Sequence, residues 1–201
     1  MATFAERKSM KYLLGFGFLL LVLVVTSCGT NTDKQTAEPA SATQQGYRYS
    51  AAFLETFSGS LAAYYQLKDA FVLSDTVAVH KAAIALRTQL DSLSLEEVRL
   101  NDSIAYDAVT GRPGDIIAEI DALLAEKGLE EKRLSFEMIS NAFYDMLRSI
   151  RPAGVTAYYQ YCPMAFKDKG AYWLSKNDSI RNPYFGADML TCGEVKETLK
   201  Y

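Results

Sequence analysis

Histidine is almost missing from this 201-residue chain, which has one, His80; tryptophan is equally rare, and cysteine occurs three times. A single histidine excludes a His-rich zinc site, and no HExxH occurs. GxSxG, P-loop and GxGxxG patterns are absent too. Acidic residues are plentiful but scattered over helix surfaces. A pair such as Asp115 and Glu119, at i and i+4, says little about acid–base work. His80 adjoins Val79 and Ala83 at the edge of an apolar stripe, which suits a surface or partly buried histidine better than a general base. With no nucleophile and base set, no enzymatic activity is expected. No Lys/Arg block of nucleic-acid type appears, and the formal net charge is -3, so DNA and RNA are set aside. The apolar content of 49% against 22% charged residues fits a folded domain of ordinary size.

What is present begins with a targeting signal over residues 1–27. Arg7, Lys8 and Lys11 form a basic region. Tyr12 to Val25 is an uncharged apolar run of 14 residues, a length that suits a signal core and is short for a membrane span. The run ends in "VTSCG", where Ser27 before Cys28 has the form of a bacterial lipobox. Lipidation of Cys28 is therefore expected. An ordinary signal peptide with a stray cysteine and an uncleaved anchor are the alternatives. Met10 is a second candidate start. Cleavage before Cys28 removes three basic residues and one acidic one, taking the net charge from -3 to -5. An acidic domain gains nothing from an anionic membrane, so the lipid itself must anchor it. The expected location is the cell envelope, facing the periplasm, with inner and outer membrane both open. Export also places the remaining cysteines in an oxidising compartment.

Residues 28–46 are small and polar and read as a flexible tether. The domain then spans 47–201. Leu54, Phe57, Leu61, Tyr64, Lys68 and Phe71 follow helical spacing, with Lys68 the one charged member. Ser74 and Asp75 announce a second helix carrying Val79, Ala83, Leu86, Leu90 and Leu93. "TGRPGD" reads as a break at Gly111 to Gly114. Ile116, Ile117, Ile120, Leu123 and Leu124 mark a third helix, with Gly128 as its C-cap. Phe136, Ile139, Phe143, Met146, Leu147 and Ile150 mark a fourth, ended by Pro152 and Gly154. Met146, and Met138 beside the same stripe, are expected in the core. The resulting fold class is mostly α: an antiparallel four-helix bundle with a short irregular, partly extended Cys/Met-containing C-terminal tail packed on it.

That tail opens with "VTAYYQYC", an extended segment. Turn-rich stretches follow, and "GEVKETL" suggests a short last helix. Its aromatics, Trp173 and Tyr184 among them, are expected to pack on the helices. Each non-lipid cysteine has a methionine close by: Cys162 with Met164, and Cys192 with Met189. Thiolates and thioethers select soft ions, above all Cu(I) and by extension Ag(I). Proline between Cys162 and Met164 restricts the backbone between two ligands. Met189 and Cys192, three apart, share a face if "MLTC" makes one helical turn. These four residues are the candidate metal ligands. The competing chemistry is a Cys162–Cys192 disulfide, which would contribute about 3–4 kcal/mol by chain entropy. Both stay open.

The residues "YCPMAF…KGAYWLS…IRNPYFG…MLTCGEVKE", after "YYQLKDAFVLSD", resemble the domain-of-unknown-function family 3347. The resemblance runs from Tyr47 to about Leu199, with the tail its more specific part. Cys162, Pro163, Met164, Met189 and Cys192 match the family's motif, as do Asn182, Pro183, Tyr184, Phe185 and Gly186. Members are exported Bacteroidetes-type lipoproteins and C-terminal parts of heavy-metal efflux adaptor proteins. Membership implies a helical domain linked to copper or silver handling, with an efflux adaptor or pump as partner. The chain lacks the long hairpin and barrel parts of an adaptor. Asn182-Pro183 and Gly186 themselves read as a tight turn that positions Met189 and Cys192. The expected function is a lipid-anchored protein that buffers a soft metal or hands it to an efflux system. The alternative is a structural or protein-binding lipoprotein with the disulfide and no metal.

Overall fold

A computed structural model describes residues 46–201 of the chain. The signal peptide 1–27, Cys28 and all of the tether except Gly46 lie outside the described residues. Six α-helices precede a small sheet: α1 (Ala51–Val72), α2 (Thr76–Asp91), α3 (Glu96–Asn101), α4 (Ser103–Val109), α5 (Arg112–Ala125) and α6 (Leu129–Ile150). The strands are β1 (Thr156–Cys162), β2 (Ala171–Ser175) and β3 (Glu194–Lys200). None of the described helices is long and apolar enough to cross a membrane.

Local chemistry explains the helix starts. Ser50 caps α1 by accepting from the Phe53 amide, and Asp75 caps α2 by accepting from Val77 and Ala78. Asp102 does the same for α4. The expected break at Gly111–Gly114 is instead the start of α5. Gly111 is its N-cap and Pro113 sits in its first turn, where a missing N–H costs nothing. Gly128 is likewise not a C-cap. It is the N-cap of α6, and α5 ends at Glu126. The carbonyls at that end are satisfied by buried Lys132, whose Nζ donates to Leu123 O at 2.7 Å and Glu126 O at 2.6 Å.

The apolar stripes become the core. Phe57, Tyr64, Leu67 and Phe71 of α1, Leu86 of α2, Ile116 and Ile120 of α5 and Phe136, Ile139 and Phe143 of α6 are fully buried. Helix α1 packs on α2, α2 on α5 and α5 on α6. Met146 is buried as expected, but Met138 is 51% exposed. It neighbours Ile139 on the helix circumference, and one position of rotation carries it out of the stripe. His80 is exposed.

The tail is more regular than expected. It forms an antiparallel sheet of order β2-β1-β3, with β1 central. "GEVKETL" is a strand rather than a helix: its partners on β1 are Thr156 to Tyr161, across a register shift at Tyr159/Gln160. One face of the sheet meets α6, where the Tyr159 hydroxyl donates to Asn141 at 3.2 Å. The other face carries Gln160, Cys162 and Trp173, all fully buried. The loop after β2 covers it, since Gln160 Nε2 donates to the carbonyls of Asn177 at 3.0 Å and Asp178 at 3.1 Å.

Tyr64 joins these layers. Its ring stacks on Phe136 with centroids 5.7 Å apart. Its hydroxyl lies 2.8 Å from Ser140 Oγ of α6 and accepts the Leu174 amide of β2 at 3.0 Å. Tyr64→Phe keeps the ring but strands two buried polar groups. It should lower stability by about 1–3 kcal/mol, read from the urea midpoint. A loss below about 0.5 kcal/mol, the level of a neutral surface change, would show that the bridge does not hold the sheet to the helices.

Candidate functional site

Cys162 ends β1 and Cys192 lies two residues before β3, so the β1–β3 ladder brings them together. Their Sγ atoms are 3.1 Å apart. Cys162 is buried, Cys192 is half-buried, and both are free thiols. Gly193 makes the approach possible. Its φ is +141°, and a Cβ there would stand 2.8 Å from Tyr161 O and 3.0 Å from Trp173. The hydrogen bond to Cys162, followed by burial, pushes the Cys192 thiol up to about 11. At neutral pH it holds its proton.

The loop reaching Cys192 is fixed from inside by Asn182, which is fully buried. Its backbone amide donates to Leu190 O at 2.8 Å, and its side-chain amide donates to Cys192 O at 2.8 Å. Its Oδ1 accepts from the Tyr184 amide at 2.8 Å, and its carbonyl accepts from Gly186 N at 3.1 Å. The tight turn read from Asn182-Pro183 and Gly186 is therefore present. Gly186 has φ +58°, and a Cβ there would come 2.5 Å from Ser74 Oγ. Arg133, buried on α6, donates from Nε to Pro183 O at 3.0 Å and from a terminal nitrogen to Ser74 Oγ at 3.2 Å. It pairs with Glu130 as well. Sequence patterns do not mark Arg133, because its long-range partners lie in the turn after α1 and in the tail.

Met164 and Met189 occupy a different part of the same region. Both line a groove of about 700 Å³ with Phe166, Tyr184, Phe185 and Leu134, and neither cysteine lines it. Met164 is 47% exposed. Met189 ends a 3₁₀ turn, Gly186–Met189, and its carbonyl accepts the Cys192 amide at 3.1 Å. The two thiols thus lie together at the strand seam, while the two methionines line a groove formed by the same two chain segments. Among the described residues, no three His, Cys, Asp or Glu side chains gather as a metal-ligand group. A site here would rest on the thiols, helped by methionine.

The groove wall after Met164 is strained. Phe166, Lys167 and Asp168 have φ of 52°, 60° and 65°, a left-handed turn of three residues with no glycine. Each such residue costs roughly 1 kcal/mol or more. Lys167→Gly removes that penalty at an exposed position, less the extra unfolded-state freedom of glycine. The variant should gain about 0.5–1 kcal/mol in a denaturant titration, where most substitutions lose stability. A loss of the same size would mean that the left-handed turn is not populated.

A helical domain with a C-terminal antiparallel sheet, carrying a juxtaposed thiol pair at the β1–β3 seam, is the class these features define. Within it, the family model described as a protein of unknown function, DUF3347, matches residues 61–153. The match supports the resemblance to that family over those residues. The match is narrower than the sequence suggested, however. It falls on the helices and ends before β1, outside the Cys/Met tail. No curated protein and no solved structure matches the chain.

Proposed function

We propose that the chain is a lipid-anchored, periplasm-facing protein that binds a soft monovalent metal through its tail sulfurs and buffers it or passes it to an efflux partner. The observation that carries this reading is the approach of two free thiols to 3.1 Å beside a groove lined by two methionines. Thiolates at about 2.3 Å from a metal in a tetrahedral arrangement stand roughly 3.8 Å apart. The pair needs only a small opening to bind, and both ligand types suit Cu(I) or Ag(I). We read α1, α2, α5 and α6 as an antiparallel bundle, supported by their sequential packing. A second reading, a structural or partner-binding lipoprotein with a Cys162–Cys192 bridge, is favoured by the same proximity. A disulfide needs about 2.05 Å, so closing the gap is as small a movement as opening it.

Titration of the reduced protein with Cu(I) under a competing thiol buffer separates the two. One Cu(I) should bind per domain. Cys162→Ser and Cys192→Ser should each remove most of the affinity, and Met164→Leu and Met189→Leu should each weaken it less. Because metal must displace the Cys192 proton, held up to about 11, affinity should rise with pH. Each thiol proton released gives about tenfold per pH unit. Fully reduced protein that ignores Cu(I) would end the metal reading. Stability falling in both Cys variants with silent Met variants is the pattern of a staple.

The anchor rests on "VTSCG" at the end of the apolar run. Cys28→Ala should release the protein from the membrane fraction and block processing. Unchanged fractionation and an unchanged mature mass would show that Cys28 carries no lipid.

A further inference from the structure

A smaller pocket of about 250 Å³ lies between the C-terminal half of α1 and the loop after β2, and no sulfur residue lines it. Helix α1 supplies Tyr65, Lys68 and Asp69, the end of β2 supplies Ser175, and the loop supplies Lys176 and Arg181. Lys68 is the one charged residue on the apolar stripe of α1, and it is buried. The other buried lysine, Lys132, gives its protons to two helix-end carbonyls. Lys68 has one partner among the described residues, the exposed Asp69 carboxylate at 2.5 Å. An ammonium carries three donors, so two remain. The Tyr65 hydroxyl is also buried, and no described residue hydrogen-bonds to it, a costly state for a polar atom. Ser175 Oγ accepts the Asn177 amide at 3.2 Å, which leaves its own proton to donate. Arg87, Arg99, Arg112 and Arg148 each face a carboxylate, whereas among the described residues Lys176 and Arg181 do not. Three cations and one carboxylate thus line a small pocket in a chain of formal net charge -3. The loop wall is held from the sheet, because Gln160 donates to the carbonyls of Asn177 and Asp178.

We propose that this pocket binds a phosphate dianion, free or as the terminal group of a monoester. Lys68, Lys176 and Arg181 outweigh Asp69 by the two charges that the dianion carries. Arg181 offers a planar fork to two phosphate oxygens, and Lys68 offers a buried point charge. Tyr65 and Ser175 add neutral hydroxyl donors. Asp69 makes the choice among oxyanions. Hydrogen phosphate has an O–H to give to a carboxylate. Sulfate has the same charge and shape but no proton, so Asp69 repels it. The event is binding alone, with no bond broken, and it does not depend on the soft-metal reading.

Calorimetric titration of the full chain with inorganic phosphate, sulfate and glycerol 3-phosphate, at mildly alkaline pH, tests the site. One phosphate should bind per chain, roughly tenfold or more tightly than sulfate, and Asp69→Asn should erase that preference. Tyr65→Phe removes only the unpartnered hydroxyl and should weaken phosphate binding about tenfold. Arg181→Gln should do the same, and Lys68→Met should cost more than either. Arg181 is exposed, so Arg181→Gln carries the test if the buried Lys68 variant folds poorly. Glycerol 3-phosphate bound as well as phosphate assigns the pocket to monoesters, and its refusal assigns it to the free ion. No saturable phosphate binding, or sulfate bound equally by the wild type, would overturn the proposal. Phosphate affinity unchanged in both Tyr65→Phe and Arg181→Gln would overturn it as well, by placing the ion elsewhere on the chain.

Discussion

The hydroxyl of Tyr64 is the constraint on which the placement of the tail depends. It sits in the middle of the core, between Phe136 and Phe143, and meets a side chain of α6 and a backbone amide of β2 at once. Burial drives its ionisation far above the usual tyrosine range, so it stays a neutral hydroxyl at any ordinary pH. A buried hydroxyl must keep its partners or pay their desolvation. That requirement fixes the depth of β2 relative to α1. The ladder then carries the constraint onward: Leu174 pairs with Tyr159, and Ala171 with Cys162. A tyrosine of the first helix thereby sets where the last residue of β1 can stand.

From there the sheet is held on both faces. Towards α6, Tyr144 stacks on Tyr159 at 3.7 Å between centroids, and Tyr159 on Tyr172 at 4.7 Å. On the other face, the Trp173 ring packs edge-on against Tyr184 at 5.9 Å. The loop carrying Tyr184 is itself tied to α6 through Arg133 and to the end of α1 through the close approach at Gly186. With so many fixed neighbours, the surroundings can hold the unfavourable left-handed residues at Phe166–Asp168. Local strain of a few kcal/mol persists only where packing overdetermines the backbone.

The parts legible in the sequence are those written in periodicity. The long helices show because Phe57, Tyr64 and Phe71 recur at helical spacing, and β1 because Tyr158, Tyr159 and Tyr161 leave little polar relief. Asp75 shows as a cap because the first turn of a helix needs an acceptor. The errors occur where a long-range contact outweighs a local signal. Gly128 resembles a C-cap, but Lys132 already satisfies the carbonyls that a glycine motif would serve. "GEVKETL" has good helix formers, yet β1 offers it a ladder edge and Gly193 turns the chain onto it. Helices α3 and α4 are too short to establish a period. At the candidate site, the pairing of Cys162 with Cys192 was a legible possibility. The separation of thiols from thioethers is not, because spacing along the chain does not say which side chains line the groove.

The surroundings of the thiols bear on whether they serve as a site or as a staple. The last loop is already held by the β1–β3 ladder, by four hydrogen bonds to Asn182 and by Arg133. A disulfide would add little to that positioning; its effect would fall on the unfolded chain, where it removes loop freedom. A soft cation, by contrast, gains directly from ligands that are already near one another, because little ordering is left to be done on binding. On the proposed soft-metal reading, the same hydrogen bonds would hold the thiol pair in place for the cation. The hydrogen bond to Cys162 and burial raise the Cys192 thiol, so a cation bound there would have to displace its proton.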